Sequence, residues 1–388
     1  MNHYLGYAES WLVEHRANHT AKEIEQQPKL WRNLVGIIEQ RRAEADAFLD
    51  PLTSNKDLRI ILTGAGTSAF AGEAIAPYLQ QFNNFNVEAI ATTDIVSNPE
   101  QYLQKDIATL MVSFARSGNS PESVAAVNLA DQLVDNCHHL FLTCNPDGEL
   151  SVHANNHSNA LCILMPEGSN DKSFAMTSSF SCMTMAAIAL LSGEDQKDLA
   201  DKVERIASMC ESKIQQWIEP VRALASLAYN RLVVLGSGGF SGLAREAALK
   251  SLELSAGKVI TAFDSSLGFR HGPKFSINEH TLVVQFISTD AYTRKYDIDL
   301  FNEIKGDGQA LKLIAIAGQG FDDQQVIELG GTDLDQVWLS FPYILFAQML
   351  AFEKSLKLEL GPDNPCPSGE VNRVVQGVSI HDYPVNNQ

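Results

Sequence analysis

The segment LRIILTGAGTSAFAGEAIAPYL, residues 58–79, decides the fold of this chain. Its short β-branched run, its Gly-rich turn and its amphipathic stretch of small residues predict a β-strand, a loop and an α-helix in that order. The same pattern returns at residues 231–252 as RLVVLGSGGFSGLAREAALKSL, where Gly236 takes the place of Gly64. A repeat of this kind indicates that the β-loop-α unit is duplicated.

Two further pairs of apolar segments continue the repeat. In TLMVSFARS and TLVVQFIST, Phe114 and Phe286 are separated by the same interval as the two glycines. In LFLTCN and LIAIAG, the interval between Leu140 and Leu313 is longer by a single position. Apolar strands that alternate with helices are typical of a parallel sheet covered on both faces, with a ligand cleft at the carboxyl ends of its strands. We therefore predict an α/β protein with two tandem three-layer domains behind an N-terminal helical segment.

The predicted boundaries follow from changes in composition. We expect helical structure from Thr20 to about Leu49, punctuated by Pro28 and Pro51, because Thr20 and Glu23 have the spacing of a capping box and apolar residues recur at helical period. The predicted division is 1–50 for the N-terminal segment, 51–195 for the first domain, 196–229 for a helical linker, and 230–388 for the second domain with a C-terminal tail.

The charge, cysteine and histidine patterns argue against several classes of protein. Lys and Arg total 29 against 47 Asp and Glu, and the net charge of −18 argues against general binding to nucleic acid or to an anionic membrane. The first residues lack a basic segment followed by an apolar one, so we expect a cytoplasmic protein. The six cysteines form no C-x-x-C motif, and the histidines other than His271, including His138 and His139, lack metal-ligand spacing. We therefore expect reduced thiols, solvent-facing histidines and no metal site.

A hydroxyl-rich turn, SFARSGNSPES, occupies residues 113–123. The strand should end near Phe114, and Ser120 is suited to cap a helix whose first residue is Pro121. Backbone N–H groups at a helix start can hold an anion without any net positive charge on the protein. Candidate ligands come from this turn and from the neighbouring turn GAGTS: Ser117, Gly118, Ser120, Thr67 and Ser68. Together the two turns suggest a site for a phosphate monoester.

Two other interpretations of these turns remain open. Either turn could be only a capped turn before a helix. A dinucleotide fold is the second alternative, because Gly64, Gly66 and Ala69 match the pattern G-x-G-x-x-A after a strand. The first clear acid at the end of a following strand is Asp94, and it lies farther along the chain from Gly66 than is usual for a ribose-binding carboxylate. The serine-rich turn has no role in a dinucleotide fold.

The motifs GAGTS, RSGNS, REAALKSLELSAG and GFRHGP resemble the sugar isomerase (SIS) domain family, which includes the isomerase half of glucosamine-6-phosphate synthase. SFARSGNSPES and SLGFRHGP are most similar to the bacterial tagatose-6-phosphate ketose/aldose isomerase group, whose members are associated with galactosamine-6-phosphate deamination. The resemblance covers roughly residues 50–388. It implies two tandem SIS domains and a sugar phosphate substrate, with neither a metal nor an organic cofactor.

The resemblance also implies roles for the residues of the two turns. Thr67, Ser68, Ser117 and Ser120 would bind the sugar phosphate. Arg116 stands where the synthase pattern has a glutamine, so it would add a charge-assisted contact to phosphate unless it is simply a solvated arginine.

Catalysis would depend on the helix REAALKSLELSAG. Glu246, Lys250 and Glu253 share one helical face. The resemblance implies that Glu253 is the catalytic base and that Lys250 and Glu246 are its charged companions. From spacing alone, the same residues could form an ordinary Glu-to-Lys pair on an exposed face.

His271 matches the family histidine that assists ring opening, and that histidine is donated across a two-fold interface, so a homodimer is expected. Near the C-terminus, Gln376 corresponds approximately to a lysine of the synthase tail, which closes over the sugar. These residues together imply conversion of galactosamine 6-phosphate to tagatose 6-phosphate and ammonia through an enolamine. A plain aldose–ketose isomerase and a non-catalytic sugar-phosphate sensor are the alternatives.

Overall fold

The structure, a computed structural model, describes residues 2–82, 86–330, 333–375 and 377–384. The N-terminal segment is mainly helical. Its elements are β1 (His3–Tyr4), β2 (Tyr7–Ala8), α1 (Glu9–Glu14), α2 (Asn18–Glu25) and α3 (Gln27–Thr53). Within the described ranges, no helix is both long and apolar enough to cross a bilayer.

The first half is a parallel five-stranded sheet with helices. The strands are β3 (Arg59–Thr63), β4 (Asn86–Ala89), β5 (Thr109–Ala115), β6 (Cys137–Thr143) and β7 (Ala160–Leu164). The helices are α4 (Thr67–Phe82), α5 (Thr92–Ser97), α6 (Pro99–Tyr102), α7 (Pro121–Leu133), α8 (Glu149–Asn156) and α9 (Ser178–Leu191). The order in the sheet is β4-β3-β5-β6-β7, so the chain reverses its direction of travel between β3 and β5. Ligands of open α/β sheets bind at such a reversal, outside the carboxyl ends of the strands.

The second half repeats this arrangement. Its strands are β8 (Arg231–Gly236), β9 (Ile260–Asp264), β10 (Thr281–Ile287), β11 (Lys312–Ala317) and β12 (Val326–Glu328). Its helices, including the one that joins the halves, are α10 (Gln196–Ala225), α11 (Gly239–Leu254), α12 (Ser266–Phe269), α13 (Thr293–Asp307) and α14 (Gln336–Lys357). The sheet order β12-β11-β10-β8-β9 is the first order read from the other edge. The predicted α/β fold with two parallel sheets is therefore confirmed.

The strand pairing confirms most of the predicted repeat. Arg59 pairs with Thr109 in the first sheet, and Arg231 pairs with Thr281 in the second, so the two repeats share this register. The third strands differ from the prediction, because Val112 pairs with Leu140 whereas Val284 pairs with Ile314 rather than with Leu313. The connection between β10 and β11 is therefore longer than the connection between β5 and β6. The difference is one residue greater than the sequence repeat predicts.

Helices α4 and α11 pack with their backbones close together. A Cβ at Gly239 would lie 2.3 Å from the carbonyl oxygen of Ala74, and one at Gly242 would lie 2.6 Å from the Ala74 nitrogen. Real Cβ atoms do not approach that closely, so both positions need glycine. Because of these two glycines, a helix of the second half reaches the loops of the first.

The predicted helical stretch is confirmed, but the predicted cap is wrong. The stretch consists of two helices, since α2 ends at Glu25 and α3 begins at Gln27 with Pro28 in its first turn. Thr20 and Glu23 form no capping box, since Thr20 lies inside α2 and its hydroxyl donates to Asp363 at 2.8 Å. The Glu23 carboxylate accepts the backbone N–H of Lys172 at 2.5 Å. Both side chains hold the N-terminal segment to distant parts of the chain.

All six cysteines are free thiols. Burial raises the pKa of Cys137 and of Cys144 to about 12, so these two thiols stay protonated at neutral pH.

Candidate active site

The first loop of the candidate site follows β3. A Cβ at Gly64 would lie 2.4 Å from the Cβ of Ser68 and 3.0 Å from the carbonyl oxygen of Phe114, so only glycine fits this turn. Gly66 has a φ of +56°, in the left-handed region that favours glycine. The turn places Thr67 and Ser68 at the start of α4, and both side chains are buried. These two hydroxyls therefore face inwards at the point where the strand order reverses.

The second loop follows β5 and confirms the predicted helix start. Ser120 is the N-cap of α7, and its hydroxyl accepts the backbone N–H of Ser123 at 3.3 Å. Gly118 has a φ of +65°, and the side-chain oxygen of Ser117 accepts the N–H of Asn119 at 3.3 Å. The turn from strand to helix is thus held by its own hydroxyls and by one left-handed glycine.

Two residues that sequence analysis missed support this loop from the side. The side-chain amide of Asn145 donates to the carbonyl oxygen of Ser117 at 2.8 Å. The side-chain oxygen of Asn119 accepts the N–H of Glu149, the first residue of α8, at 2.8 Å. The sequence signal for Asn145 is the turn sequence CNPDGE between a strand and a helix, whereas Asn119 belongs to the serine-rich turn already singled out.

Arg116 is buried rather than solvated, with 6% of its surface exposed. Burial is the main cause that lowers its pKa, and attraction to Asp171 opposes the shift. Its Nη2 donates to the carbonyl oxygen of Arg373 at 2.9 Å, whereas Nη1 is buried and has no hydrogen-bond partner among the described residues. A buried guanidinium with one free donor group is suited to an anionic ligand.

The C-terminal tail crosses the first half. Arg373 donates to the carbonyl oxygen of Ser173 at 3.2 Å and also to that of Asp171. Further along, the Tyr383 hydroxyl donates to the carboxylate of Glu100. The tail therefore lies against both Arg116 and the segment 171–173. Gln376, the predicted counterpart of a lysine, lies outside the described residues.

The three charged residues of α11 lie together. The Lys250 ammonium is 2.5 Å from a Glu253 oxygen and 3.4 Å from a Glu246 oxygen. It also donates to the Thr67 hydroxyl at 2.9 Å, which joins the second half to the first loop. Lys250 and Glu246 are fully buried, whereas 23% of the Glu253 side chain is exposed. The alternative of an ordinary pair on an exposed face is therefore wrong.

Burial sets the protonation of this group. It raises the pKa of Glu246 to about 8, although the Lys250 charge opposes the shift. Burial alone would lower the pKa of Lys250, but attraction to Glu246 and Glu253 outweighs it and the pKa is raised. Near neutral pH, therefore, Lys250 is a cation and Glu246 holds a proton, whereas Glu253 is the member of the group whose side chain reaches solvent.

We predict that Glu246→Gln keeps most of the activity at pH 7, because glutamine has the shape of a protonated glutamate. In the wild type, the folded state binds a proton that the unfolded chain releases between the ordinary pKa of 4.5 and about 8. The free energy of unfolding therefore falls as pH rises through that range, and the variant lacks this loss.

Thermal unfolding of both proteins at pH 5.5 and 8.5 checks the prediction. The two melting temperatures should be similar at pH 5.5, and the variant should melt higher by about 2 °C or more at pH 8.5. Glu23, whose pKa burial also raises to about 8, is present in both proteins and cancels in the comparison. If the variant and the wild type differed in melting temperature by the same amount at both pH values, the assignment of a proton to Glu246 would be contradicted.

We predict that Ser120→Ala lowers the free energy of unfolding by about 1 kcal/mol, because α7 loses its N-cap. Ser117→Ala is the matched control, since its hydroxyl lies outside the helix and should cost less than about 0.5 kcal/mol. Urea unfolding of the two variants measures the difference. Similar losses in both would show that the Ser120 cap contributes little.

His271 makes no hydrogen bond or ion pair with the other candidate residues among the described residues of the single chain. It is exposed, between α12 and a short 3-10 helix, Pro273–Ser276, and Gly272 beside it has a φ of +123°. Within the part of the chain that the structure describes, no hydrogen bond or ion pair joins His271 to Glu253 or Lys250. Nearby, Phe275 has 95% of its surface exposed.

The second half has a corresponding cleft with different chemistry. Helices α4 and α11 are equal in length and occupy equivalent places in the two repeats, so Ala74, Tyr78 and Gln81 stand where α11 carries Glu246, Lys250 and Glu253. Asp290 occupies the position of Gly118, and a carboxylate there opposes an anion. A cavity of about 580 Å³ is lined by Ala74, Tyr78, Gly239, Asp290 and Gln336 among others. Its lining lacks the combination of base, lysine and serine turn that marks the first site.

One prediction about the histidines is wrong. His139 does not face solvent: it is fully buried in β6, and its Nε2 lies 2.9 Å from a carboxylate oxygen of Asp131. The strand buries both of its faces, so alternation along the sequence gave no sign of this.

Comparison with known proteins identifies the family of this chain. The family model "SIS domain" matches residues 52–193. D-galactosamine-6-phosphate deaminase AgaS of Shewanella sp. (strain ANA-3) is 45% identical over 375 residues, covering 96% of this chain and 94% of the relative.

Solved structures give the same result. The tagatose-6-phosphate ketose/aldose isomerase of Escherichia coli is 41% identical, with a TM-score of 0.87 over 95% of this chain and 97% of that one. The C-terminal domain of glucosamine-fructose-6-phosphate aminotransferase from Francisella tularensis shares the fold, at 17% identity and a TM-score of 0.74 over 89% of this chain and 98% of that one. This chain therefore belongs to the SIS domain family, in the group that contains the AgaS deaminases and the tagatose-6-phosphate ketose/aldose isomerases.

Proposed function

We propose that this protein is an enzyme that converts D-galactosamine 6-phosphate to tagatose 6-phosphate and ammonia. The observation that carries the proposal is the Lys250–Glu253 pair, held against Thr67 at the mouth of the first sheet. A buried lysine beside a solvent-reaching carboxylate is suited to proton transfer next to a carbonyl. Relatives that are 44–45% identical along nearly the whole chain are named for this deamination.

The phosphate of the substrate would lie between the two loops at the carboxyl ends of β3 and β5. The hydroxyls of Thr67, Ser68, Ser117 and Ser120 and the N–H groups at the start of α7 supply donors, with Gly118 allowing close approach. Arg116 supplies the only full positive charge in this set, through the Nη1 group, for which the described part of the chain provides no hydrogen-bond partner. Binding energy from this non-reacting phosphate would position C1 and C2 of the sugar against Glu253.

His271 would open the sugar ring by moving a proton between O5 and O1. Since this histidine is exposed and bonds to neither Glu253 nor Lys250 within the described residues, we propose that it enters the site of a second subunit. The exposed Phe275 and the half-exposed Phe263 and Leu267 would lie in the same homodimer interface.

Once the ring is open, the aldehyde at C1 makes the C2 proton acidic. Glu253 would remove that proton; the two electrons of the C–H bond would form the C1–C2 double bond of an enolamine, while the electrons of the carbonyl π bond move to O1, which takes a proton from solvent. The same carboxyl group would return a proton to C1, which leaves an imine at C2. Water then adds to the imine carbon and ammonia leaves, so no metal or organic cofactor is needed for the electron balance.

Lys250 would stabilise negative charge on O1 while the C2 proton is transferred, because its ammonium group is a fixed cation at neutral pH. Glu246 lies 3.4 Å from the Lys250 ammonium and is fully buried, so it would position Lys250 without touching the substrate. A non-catalytic sensor would not need this arrangement of acid, base and cation. We also place the enzyme in the cytoplasm, where six free thiols remain reduced.

Ammonia release from the purified protein tests the function. We expect release from galactosamine 6-phosphate, with an equal amount of tagatose 6-phosphate, and much less from the C4 epimer glucosamine 6-phosphate. The Glu253→Gln protein is the control for contaminating activity. No ammonia from either hexosamine phosphate, with interconversion of an aldose and a ketose phosphate instead, would overturn the deaminase proposal in favour of the isomerase named for the Escherichia coli relative.

A further inference from the structure

We propose that Asp131, His139 and His153 bind one divalent transition-metal ion outside the active site. The three residues come from three neighbouring elements: Asp131 lies near the end of α7, His139 lies inside β6, and His153 lies on α8. They share no residue with the proposed catalytic group, so this site is independent of the proposed function.

The ligand atoms have the spacing of one coordination sphere. The Nε2 atom of His139 is 2.9 Å from one carboxylate oxygen of Asp131, and the Nε2 atom of His153 is 3.8 Å from the other. One ligand atom from each residue can be chosen so that all three lie within 4.8 Å of one another. Ligand atoms about 2.0–2.2 Å from a common ion lie roughly 3–4 Å apart, so small side-chain adjustments would complete the site.

A buried nitrogen without a partner points to a missing ligand. The His153 Nε2 atom is shielded from solvent and makes no hydrogen bond to any residue that the structure describes. Its 3.8 Å separation from the Asp131 carboxylate is too long for a hydrogen bond, although the nitrogen faces that group. A cation between the two atoms would satisfy both, because it accepts the lone pair of the nitrogen and balances the carboxylate charge.

The donor set selects the class of ion. Two imidazole nitrogens and one carboxylate oxygen suit Zn²⁺ and similar transition metals, whereas Mg²⁺ and Ca²⁺ prefer oxygen ligands. Asn159 donates its side-chain amide to the coordinating carboxylate of Asp131 at 3.4 Å, an outer contact of the kind that orients metal ligands. The Asp131 side chain is 34% exposed and that of His153 is 16% exposed, so an ion can enter from solvent.

The ion would tie α8 to α7 and β6. The beginnings of these two helices frame the serine-rich loop: Ser120 caps α7, and the first N–H of α8 bonds to Asn119. An ion held by Asp131 near the end of α7 and by His153 within α8 would therefore fix the two helices that support the phosphate-binding loop. It would act as a structural clamp rather than as a participant in the chemistry.

Calorimetric titration of the full-length, EDTA-treated protein with ZnCl₂ tests the site. We expect one equivalent of Zn²⁺ to bind, and MgCl₂ at the same concentration to give no signal. His153→Gln and Asp131→Asn should each weaken Zn²⁺ binding at least about tenfold, since each removes a ligand. The matched control is His157→Gln: its ring stacks on that of His153 at 4.0 Å but is not one of the three ligands, so binding should be unchanged.

Cobalt gives a second readout that does not depend on activity. Co²⁺ bound by these ligands should produce visible absorption bands in the wild type and in His157→Gln, and these bands should be absent from His153→Gln. Zn²⁺ should also raise the melting temperature of the wild type and of the His157 variant only. The proposal is overturned if the wild type binds no Zn²⁺, or if both ligand variants bind it as tightly as the wild type does.

Discussion

Replacing Glu253 with glutamine should lower kcat by about a thousandfold while leaving sugar phosphate binding nearly unchanged. Glutamine keeps the size of the side chain and its contact with Lys250 but cannot accept the C2 proton. The measurement is kcat for ammonia release, together with the affinity for tagatose 6-phosphate by calorimetry. A separate readout is solvent exchange: in D₂O the wild type should exchange a C1 proton of tagatose 6-phosphate, and the variant should not.

Glu246→Gln is the matched control for this experiment. It makes the same chemical change on the same helix, beside the same lysine. Because Glu246 already carries a proton at neutral pH, the control should keep most of the activity. Near-normal turnover by Glu253→Gln, or an equal loss in both variants, would show that Glu253 is not the base.

Replacing His271 with asparagine should lower kcat about a hundredfold, and the activity should return in a mixed dimer. A dimer of one Glu253→Gln subunit and one His271→Asn subunit has one site with an intact glutamate from one subunit and an intact histidine from the other. We therefore expect about half of the wild-type kcat per dimer, although both parent proteins are nearly inactive. Co-expression with two affinity tags, followed by purification on both, gives the mixed dimer.

The converse dimer makes this test decisive. When both substitutions lie on one subunit and the other is wild type, each site contains one altered residue, so a shared site should be inactive. If His271 served its own subunit, this dimer would keep half of the activity and the first would have none. A site shared between subunits and a site within one subunit thus predict opposite results for the two mixed dimers.

Local sequence patterns were sufficient for the features that depend on neighbours along the chain. The strand, turn and helix around Gly64 follow from residue types within a short window, and so does the Ser120 cap. The placement of Glu246, Lys250 and Glu253 on one face follows from helical period alone.

Features that depend on distant packing could not be predicted in the same way. Thr20 and Glu23 have the spacing of a cap, yet their partners are Asp363 and Lys172, far along the chain. The contact of Lys250 with Thr67 needs α11 to lie against α4, which residue periodicity does not report. Because strands buried on both faces lack alternation, neither the burial of His139 nor the shifted register at Ile314 was visible in sequence.

The close packing of α4 and α11 bears on how such a protein could arise. Each repeat supplies a cleft at the carboxyl ends of its strands, but the carboxyl groups and the lysine that we propose for the first cleft stand on the helix of the second repeat. A single ancestral repeat would have needed another copy of itself to complete such a site. In this chain the reverse pairing lacks these charges, because Ala74, Tyr78 and Gln81 stand at the equivalent positions of α4. The two repeats are therefore not interchangeable, and we expect that removal of either one would abolish the proposed activity.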